Sequence, residues 1–210
     1  MKTLALLLAL FSLSASAEPE GAPMAGALGV QIEKPAGDDV HFLHGSGVFL
    51  GGGMVLTAAH VVKINPQDPG ATVIMDGWKT AARVAAIAPN GLDLALLKID
   101  PSEISAQRRM LSPVHLCSPP IGANQPVIVA SEGQISFSVT IPVNTGQGIT
   151  RLGTGYPHGA SGGGIFDASK GCLAGIIIIA DSGTLSGQDI KLTEFIPATQ
   201  IAPFLAASLH

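Results

Sequence analysis

Three local patterns of the 210-residue chain carry side chains able to do nucleophilic chemistry. They are Leu56-Thr57-Ala58-Ala59-His60-Val61-Val62, Leu92-Asp93-Leu94-Ala95-Leu96-Leu97-Lys98-Ile99 and Gly159-Ala160-Ser161-Gly162-Gly163-Gly164. A serine hydroxyl is a weak nucleophile at neutral pH, and an imidazole within reach titrates in the range needed to take its proton. A buried carboxylate behind the imidazole fixes its tautomer and stabilises the cation that forms. Each residue has a structural alternative when read alone. His60 beside Ala58 and Ala59 reads as a core histidine with its polar atoms satisfied. Asp93 between Leu92 and Leu94 reads equally as a surface aspartate at a strand edge. Its rivals Asp76 and Asp100 lack the flanking Leu-x-Leu-Ala-Leu-Leu run. The glycine-rich stretch reads as a flexible loop, except that it runs directly into the apolar pair Ile165-Phe166. The remaining histidines carry less. His41 and His44 lack the accompanying ligand spacing of a metal site, His115 and His210 sit in a linker and at the end, and His158 immediately precedes the glycine-rich turn.

The elements that must position these groups are short strands. The chain is 47% hydrophobic and 12% charged, with no like-charge runs, which excludes intrinsic disorder. A net charge of −4 without a basic patch excludes a nucleic-acid partner. Helix heptads are absent, and Gly, Val, Ile and Thr are frequent, so the class expected is all-β. Strands are expected at 29–32, 46–50, 54–57, 71–75, 81–87 and 92–99, with Asp76-Gly77 and Asn90-Gly91 as turns. Residues 113–125 hold Pro113, Pro119, Pro120 and Gly122 and read as a linker. Further strands are expected at 126–130, 134–141, 164–166 and 172–179. A short amphipathic helix follows over 197–208, on Ile201, Phe204, Leu205 and Leu209, with Pro203 inside it. The division is therefore a first β block at 28–112 and a second at 126–210. Closing each block into a barrel buries the edges that such strands otherwise expose.

The first 17 residues are expected to lie outside the fold. Met1-Lys2-Thr3 opens a ten-residue apolar run that ends in Ala15-Ser16-Ala17, the pattern of a secretory signal cleaved after Ala17. The run is half the length of a membrane span, so an N-terminal anchor is disfavoured and no membrane association is expected after cleavage. Residues 18–27, rich in Pro, Gly, Ala and Glu, are expected as a flexible arm. A secreted or periplasmic location permits a disulfide between Cys117 and Cys172, with two buried free thiols as the alternative.

The three motifs, in the chain order His, Asp, Ser, resemble the chymotrypsin-like (trypsin-fold) serine peptidases, closest in style to the bacterial V8-like and HtrA-like branches without a PDZ domain. The resemblance covers roughly residues 28–205. It implies two antiparallel six-stranded barrels with a short C-terminal helix, and a serine endopeptidase acting on proteins or peptides without cofactor or metal. Carried over by motif, Ser161 is the nucleophile, His60 the general base and then acid, and Asp93 its orienting carboxylate; the N–H groups of Gly159 and Ser161 form the oxyanion hole. The substrate pocket implied lies between 154–158 and 176–181 and is lined by Thr154, Gly155, His158, Ile178 and Ala180. It fits small or medium apolar side chains, or an acidic one if His158 and Thr154 read it. Two positions depart from the family pattern. Ala160 stands where the trypsin branch has an Asp, which removes activation through a buried salt bridge. Gly164 stands where Pro is usual, which is expected to loosen the turn. The rival reading is a catalytically silent binding protein of the same fold. An esterase of the α/β-hydrolase class requires the order Ser, acid, His, which this chain does not have.

Overall fold

Alternating burial along short β-branched segments folds the chain into two antiparallel sheets, each closed on itself. The computed structural model describes residues 22–35, 42–62, 70–141, 150–185 and 188–209, with the backbone alone at 35, 42, 179–185 and 188–190. The first barrel comprises β1 (Gly29–Pro35), β2 (Phe42–Gly51), β3 (Met54–Thr57), β4 (Ala71–Met75), β5 (Trp78–Ile87) and β6 (Ala95–Ile99), in the closed order β1-β2-β3-β6-β5-β4. The second comprises β7 (Pro126–Ser131), β8 (Gln134–Ile141), β9 (Thr150–Leu152), β10 (Gly164–Asp167), β11 (Leu173–Leu185) and β12 (Gln188–Pro197). Its order, β7-β8-β9-β12-β11-β10, repeats the path of the first barrel strand for strand. The all-β, two-barrel architecture expected from the sequence is therefore the one observed.

Three apolar clusters hold this frame together. Ile32, Phe49, Val55, Val73 and Leu97 fill the first barrel, and Val127, Val129, Leu152, Ile165 and Phe195 the second. A third cluster, with Val48, Leu56 and Leu96 on one side and Ile128, Phe166 and Ile176 on the other, lies between them. Strand β4 shows the period-two burial that makes such packing possible: Ala71, Val73 and Met75 point inward and Thr72 and Ile74 are half-exposed.

Several elements differ from expectation. Helix α1 (Ala22–Leu28) occupies much of the stretch expected as a flexible arm. Ala22, Ala25 and Leu28 recur every third residue and are buried in the cluster between the barrels, so the small side chains permit close docking. Residues 1–21, including the expected signal, lie outside the described residues, as do His41 and His210. Strand β6 starts at Ala95, which leaves Asp93 in the preceding turn. Strands β9 and β12 were not expected, nor was helix α2 (Ala106–Arg109). Helix α3 (Ala198–Ser208) carries the expected proline on an exposed face and buries Ala198, Ile201 and Phe204, while Leu209 points to solvent. The linker is pinned to β11 by the Cys117–Cys172 disulfide and by backbone bonds from Cys117 to Leu173 and from Leu173 to His115.

Gly164, expected to loosen the turn, lies at the start of a strand. It opens β10, paired with Ala130 and Ile176, and a Cβ there would stand 2.6 Å from Val48 Cγ2 and 2.7 Å from Phe166 Cε2. A bare backbone is what lets the second barrel approach Val48 of the first. Gly164→Ala is expected to overpack this contact and lower stability by about 2 kcal/mol. A double-mutant cycle with Val48→Ala, measured by urea unfolding, should show that the two losses are less than additive.

Candidate active site

Strand β3 ends at Thr57, opposite Ala95 at the start of β6, so the chain leaving one and entering the other meet at the same end of the first barrel. A 3-10 turn over Ala59–Val62 carries His60, and the turn before β6 carries Asp93. The two residues are locked by three hydrogen bonds. Ala59 N–H donates to the Asp93 carbonyl at 3.2 Å, His60 N–H to Asp93 Oδ1 at 2.8 Å, and His60 Nδ1 to Asp93 Oδ2 at 2.6 Å. An ionised carboxylate only accepts, so Nδ1 carries the proton and Nε2 of the neutral ring is left with its lone pair. Burial pushes the Asp93 carboxyl up, but the hydrogen bonds and charge of His60 outweigh it and hold the group below its ordinary value. The rivals are explained by other partners. Asp76 forms a bidentate pair with the Arg108 guanidinium, and Asp100 caps a 3-10 turn by accepting from the Ser102 N–H.

Ser161 lies in the connection from β9 to β10, with Gly159, Ala160, Gly162 and Gly163 buried around it. Gly159 has φ +101°, a backbone state open to glycine, and the turn continues through Gly162 at φ +87°. Ala160, Gly162 and Gly163 donate their N–H groups to Pro157, Ile177 and Ala160. Among the described residues the N–H groups of Gly159 and Ser161 have no acceptor, which leaves two donors in one buried turn. The Ser161 hydroxyl points to the Ile178 carbonyl at 3.4 Å and makes no hydrogen bond to His60. The structure thus joins His60 to Asp93 directly. It brings Ser161 against the strand that leads to His60 through the backbone: a Cβ on Gly162 would stand 2.2 Å from Thr57 Oγ1.

The residue that makes this approach possible was not singled out in the sequence. Ser46 of β2 is fully buried. Its N–H donates to the Ser161 carbonyl at 2.8 Å and its hydroxyl to the Gly159 carbonyl at 2.8 Å. The same hydroxyl accepts from Glu132 N–H at 2.8 Å, and the Ser46 carbonyl accepts from Thr57 Oγ1 at 2.7 Å. Its glycine neighbours were the available signal: a Cβ on Gly45 would stand 2.3 Å from Val61, and one on Gly47 2.8 Å from Val55.

Of the expected pocket residues, Thr154 and His158 are exposed, and Thr154 Oγ1 accepts from Ser138 at 3.0 Å. Gly155 lies against β12, where a Cβ would meet that of Lys191 at 2.3 Å. Tyr156, half-buried beside it, bonds Ser136 through its hydroxyl and Thr193 through its N–H. Ile178 is half-buried at the seam. Ala180 lies in β11 opposite Thr193, its side chain outside the described residues. Ala160 is buried among Val129, Ile165 and Ile177, so no charge at that position calls for a counter-ion.

The carboxylate of Asp93 is favoured in the folded state, so its contribution to stability is complete above the ordinary value of 3.8 and is lost as pH falls through the lower folded value. Asp93→Asn is therefore expected to be less stable than the native protein at pH 7. The two denaturant midpoints should converge in strong acid.

The trypsin-like peptidase domain family matches residues 45–176, a span that contains His60, Asp93 and Ser161. No curated protein sequence matches the chain. Among solved structures, the active form of the Rv3671c protease from M. tuberculosis superposes with a TM-score of 0.68 at 18% identity, over 90% of this chain and 84% of that one. An inactive form of the same protease gives 0.64, also at 18% identity, over 90% and 93% of the two chains. The HtrA-type protease AlgW with a decapeptide gives 0.66 at 21% identity, over 90% of this chain and 66% of that one. At these identities the likeness is one of fold, and the family match supplies the rest: the chain belongs to the trypsin-like peptidase domain family, the serine endopeptidases that act on proteins and peptides.

Proposed function

We propose that this endopeptidase cleaves through an acyl-enzyme, with Ser161 as nucleophile, His60 as general base and acid, and Asp93 as the carboxylate that orients the imidazole. The observation that carries the reading is the 2.6 Å bond from His60 Nδ1 to Asp93, which leaves Nε2 as the basic atom. Ser161 Oγ attacks the scissile carbonyl carbon as its proton passes to Nε2. The carbonyl π electrons move to oxygen, and the N–H groups of Gly159 and Ser161 receive that oxyanion. Collapse breaks the C–N bond and the amine leaves with the proton held by His60. Water then repeats the sequence on the ester and restores the hydroxyl. The expected pocket, between 154–158 and β11 with Ile178 beside it, would take a small or medium apolar side chain, or an acidic one read by His158 and Thr154.

The segment Met1 to Ala17 supports export from the cytoplasm with cleavage after Ala17, and the Cys117–Cys172 bond suits an oxidising compartment. The silent reading rests on one observation, the Ser161 hydroxyl directed at Ile178 instead of His60.

A fluorophosphonate probe separates the two readings. Labelling of the native protein that disappears in Ser161→Ala, with peptide hydrolysis reduced by roughly 10⁴-fold or more, is the expected result. Absence of labelling in the native protein favours the binding role. Ser46→Ala strands the Gly159 carbonyl and the Glu132 N–H, and should lower stability by about 1–3 kcal/mol. It should also lower kcat by about 10²-fold with little change in KM, because the displaced donors act on the oxyanion and not on the bound ground state.

A further inference from the structure

Glu132 takes no part in the hydrolytic steps but lies beside them. It occupies the turn between β7 and β8 with φ +52°, a left-handed backbone that a glutamate does not favour. Two contacts fix it there: its N–H donates to Ser46 Oγ at 2.8 Å, and its carbonyl accepts from Gln31 Nε2 at 2.6 Å. So held, its side chain runs over the turn of the nucleophile. Oε1 stands 2.3 Å from where a Cβ on Gly159 would be. Among the described residues this carboxylate has neither a hydrogen-bond donor nor an ion partner.

A cavity of about 280 Å³ opens next to it, lined by Gln31, Ile32, Glu33, His44, Gly45 and Glu132. Glu33 in that lining is already paired with Lys79 at 2.6 Å, so the uncompensated negative charge of the cavity is that of Glu132. The direction of the substrate follows from the turn itself. Gly162 N–H and the Ser161 hydroxyl face Ile177 and Ile178 of β11, the side of the acyl pocket. The carbonyls of Gly159 and Ser161 face Ser46, the side of β2 and Glu132. Under the peptidase reading, a peptide with its acyl half along β11 and its carbonyl oxygen at the two free N–H groups would direct its amine half past Gly159, the residue over which the Glu132 carboxylate stands.

We propose that the cavity receives a side chain from one of the first two residues after the scissile bond, and that Glu132 selects a cationic one, lysine or arginine. The inference rests on the peptidase reading above. A guanidinium or ammonium placed there meets a carboxylate with no competing partner, in a cleft that substrate binding partly dries. Discrimination of about fivefold in kcat/KM against a neutral side chain of equal size is the scale expected of such a pair.

The experiment compares peptides that differ only in carrying arginine or its neutral isostere citrulline at the first or the second position after the cleaved bond. At one of these positions the native enzyme should favour arginine about fivefold, and the ratio should shrink at 1 M salt. Glu132→Gln should bring that ratio close to one. Glu132→Asn, which accepts the left-handed backbone more readily, should do the same if the glutamine variant folds poorly. A native ratio of one at both positions, or a ratio unchanged by both variants, overturns the assignment of Glu132 and leaves the peptidase reading intact. Hydrolysis of none of the peptides overturns both.

Discussion

Two barrels that each close on themselves have no sheet edge left with which to join, so hydrogen bonds across their seam must come from groups placed one at a time. Ser46 is the residue on which that placement depends. Its N–H, hydroxyl and carbonyl are all engaged, and they reach the carbonyls of Gly159 and Ser161, the N–H of Glu132 and the hydroxyl of Thr57. Four segments from two barrels therefore share one fully buried residue. A buried carbonyl left without a donor costs about 1–3 kcal/mol, so the turn around Ser161 is stable only in the position where Ser46 can serve it. The hydrophobic contacts of Val48 and Phe166 bring the barrels together without fixing their relative position to this degree, because apolar attraction has no direction. The hydrogen bonds supply the direction.

The same economy governs the charges. Asp76 and Asp93 both follow or precede first-barrel strands and both hold depressed carboxyl values, yet their surroundings differ. The Asp76 carboxylate is held mainly by its hydrogen bond to Arg108, a buried guanidinium that also lies 6.0 Å from the Phe49 ring and ties α2 to the β4–β5 turn. In that pair the cation is the buried member, at 6% exposure, and the carboxylate the exposed one. Asp93 instead faces a histidine whose side chain is 44% exposed, so in this pair the basic partner is the more exposed member. Under the proposed roles, that exposure is what leaves the imidazole accessible to a substrate.

Much of this was legible in the sequence, for identifiable reasons. Strands β4 and β8 match their expected bounds because alternating side-chain types and flanking turn residues act locally, although only β4 buries its apolar face and β8 leaves Phe137 and Val139 exposed. The residues His60, Asp93 and Ser161 stood out because small neighbours surround two of them and a leucine run follows the third. Helix α1 was hidden by its composition: Pro23 and Gly26 read as loop, whereas the close packing of Ala22 and Ala25 between the barrels decides the conformation. Strand β9 is three residues long and gains its identity from pairing with β8 and β12. Ser46 was invisible for a related reason. A serine within a strand reads as a solvent-facing position, and its partners at Glu132 and Gly159 lie 86 and 113 residues away. Only the docked pair of barrels makes it a buried polar residue.

The division between what is fixed and what is free at the site follows from these contacts. Gly159 and Ser161 have their carbonyls bonded to Ser46, and the N–H groups of Gly162 and Gly163 are bonded within the turn or to β11. The backbone of the turn is therefore held by bonds already made, and the buried methyl of Ala160 carries no charge that calls for a partner. The Ser161 hydroxyl is different. Its bond to Ile178 measures 3.4 Å, well beyond the roughly 2.7–2.8 Å typical of a hydroxyl donor, and rotation away from it sacrifices about 1 kcal/mol or less. Under the proposed roles this is the arrangement that favours reaction, because an enzyme gains from donors that do not reorganise while the charge develops. The one group that must change partners, the nucleophile itself, is the one held least.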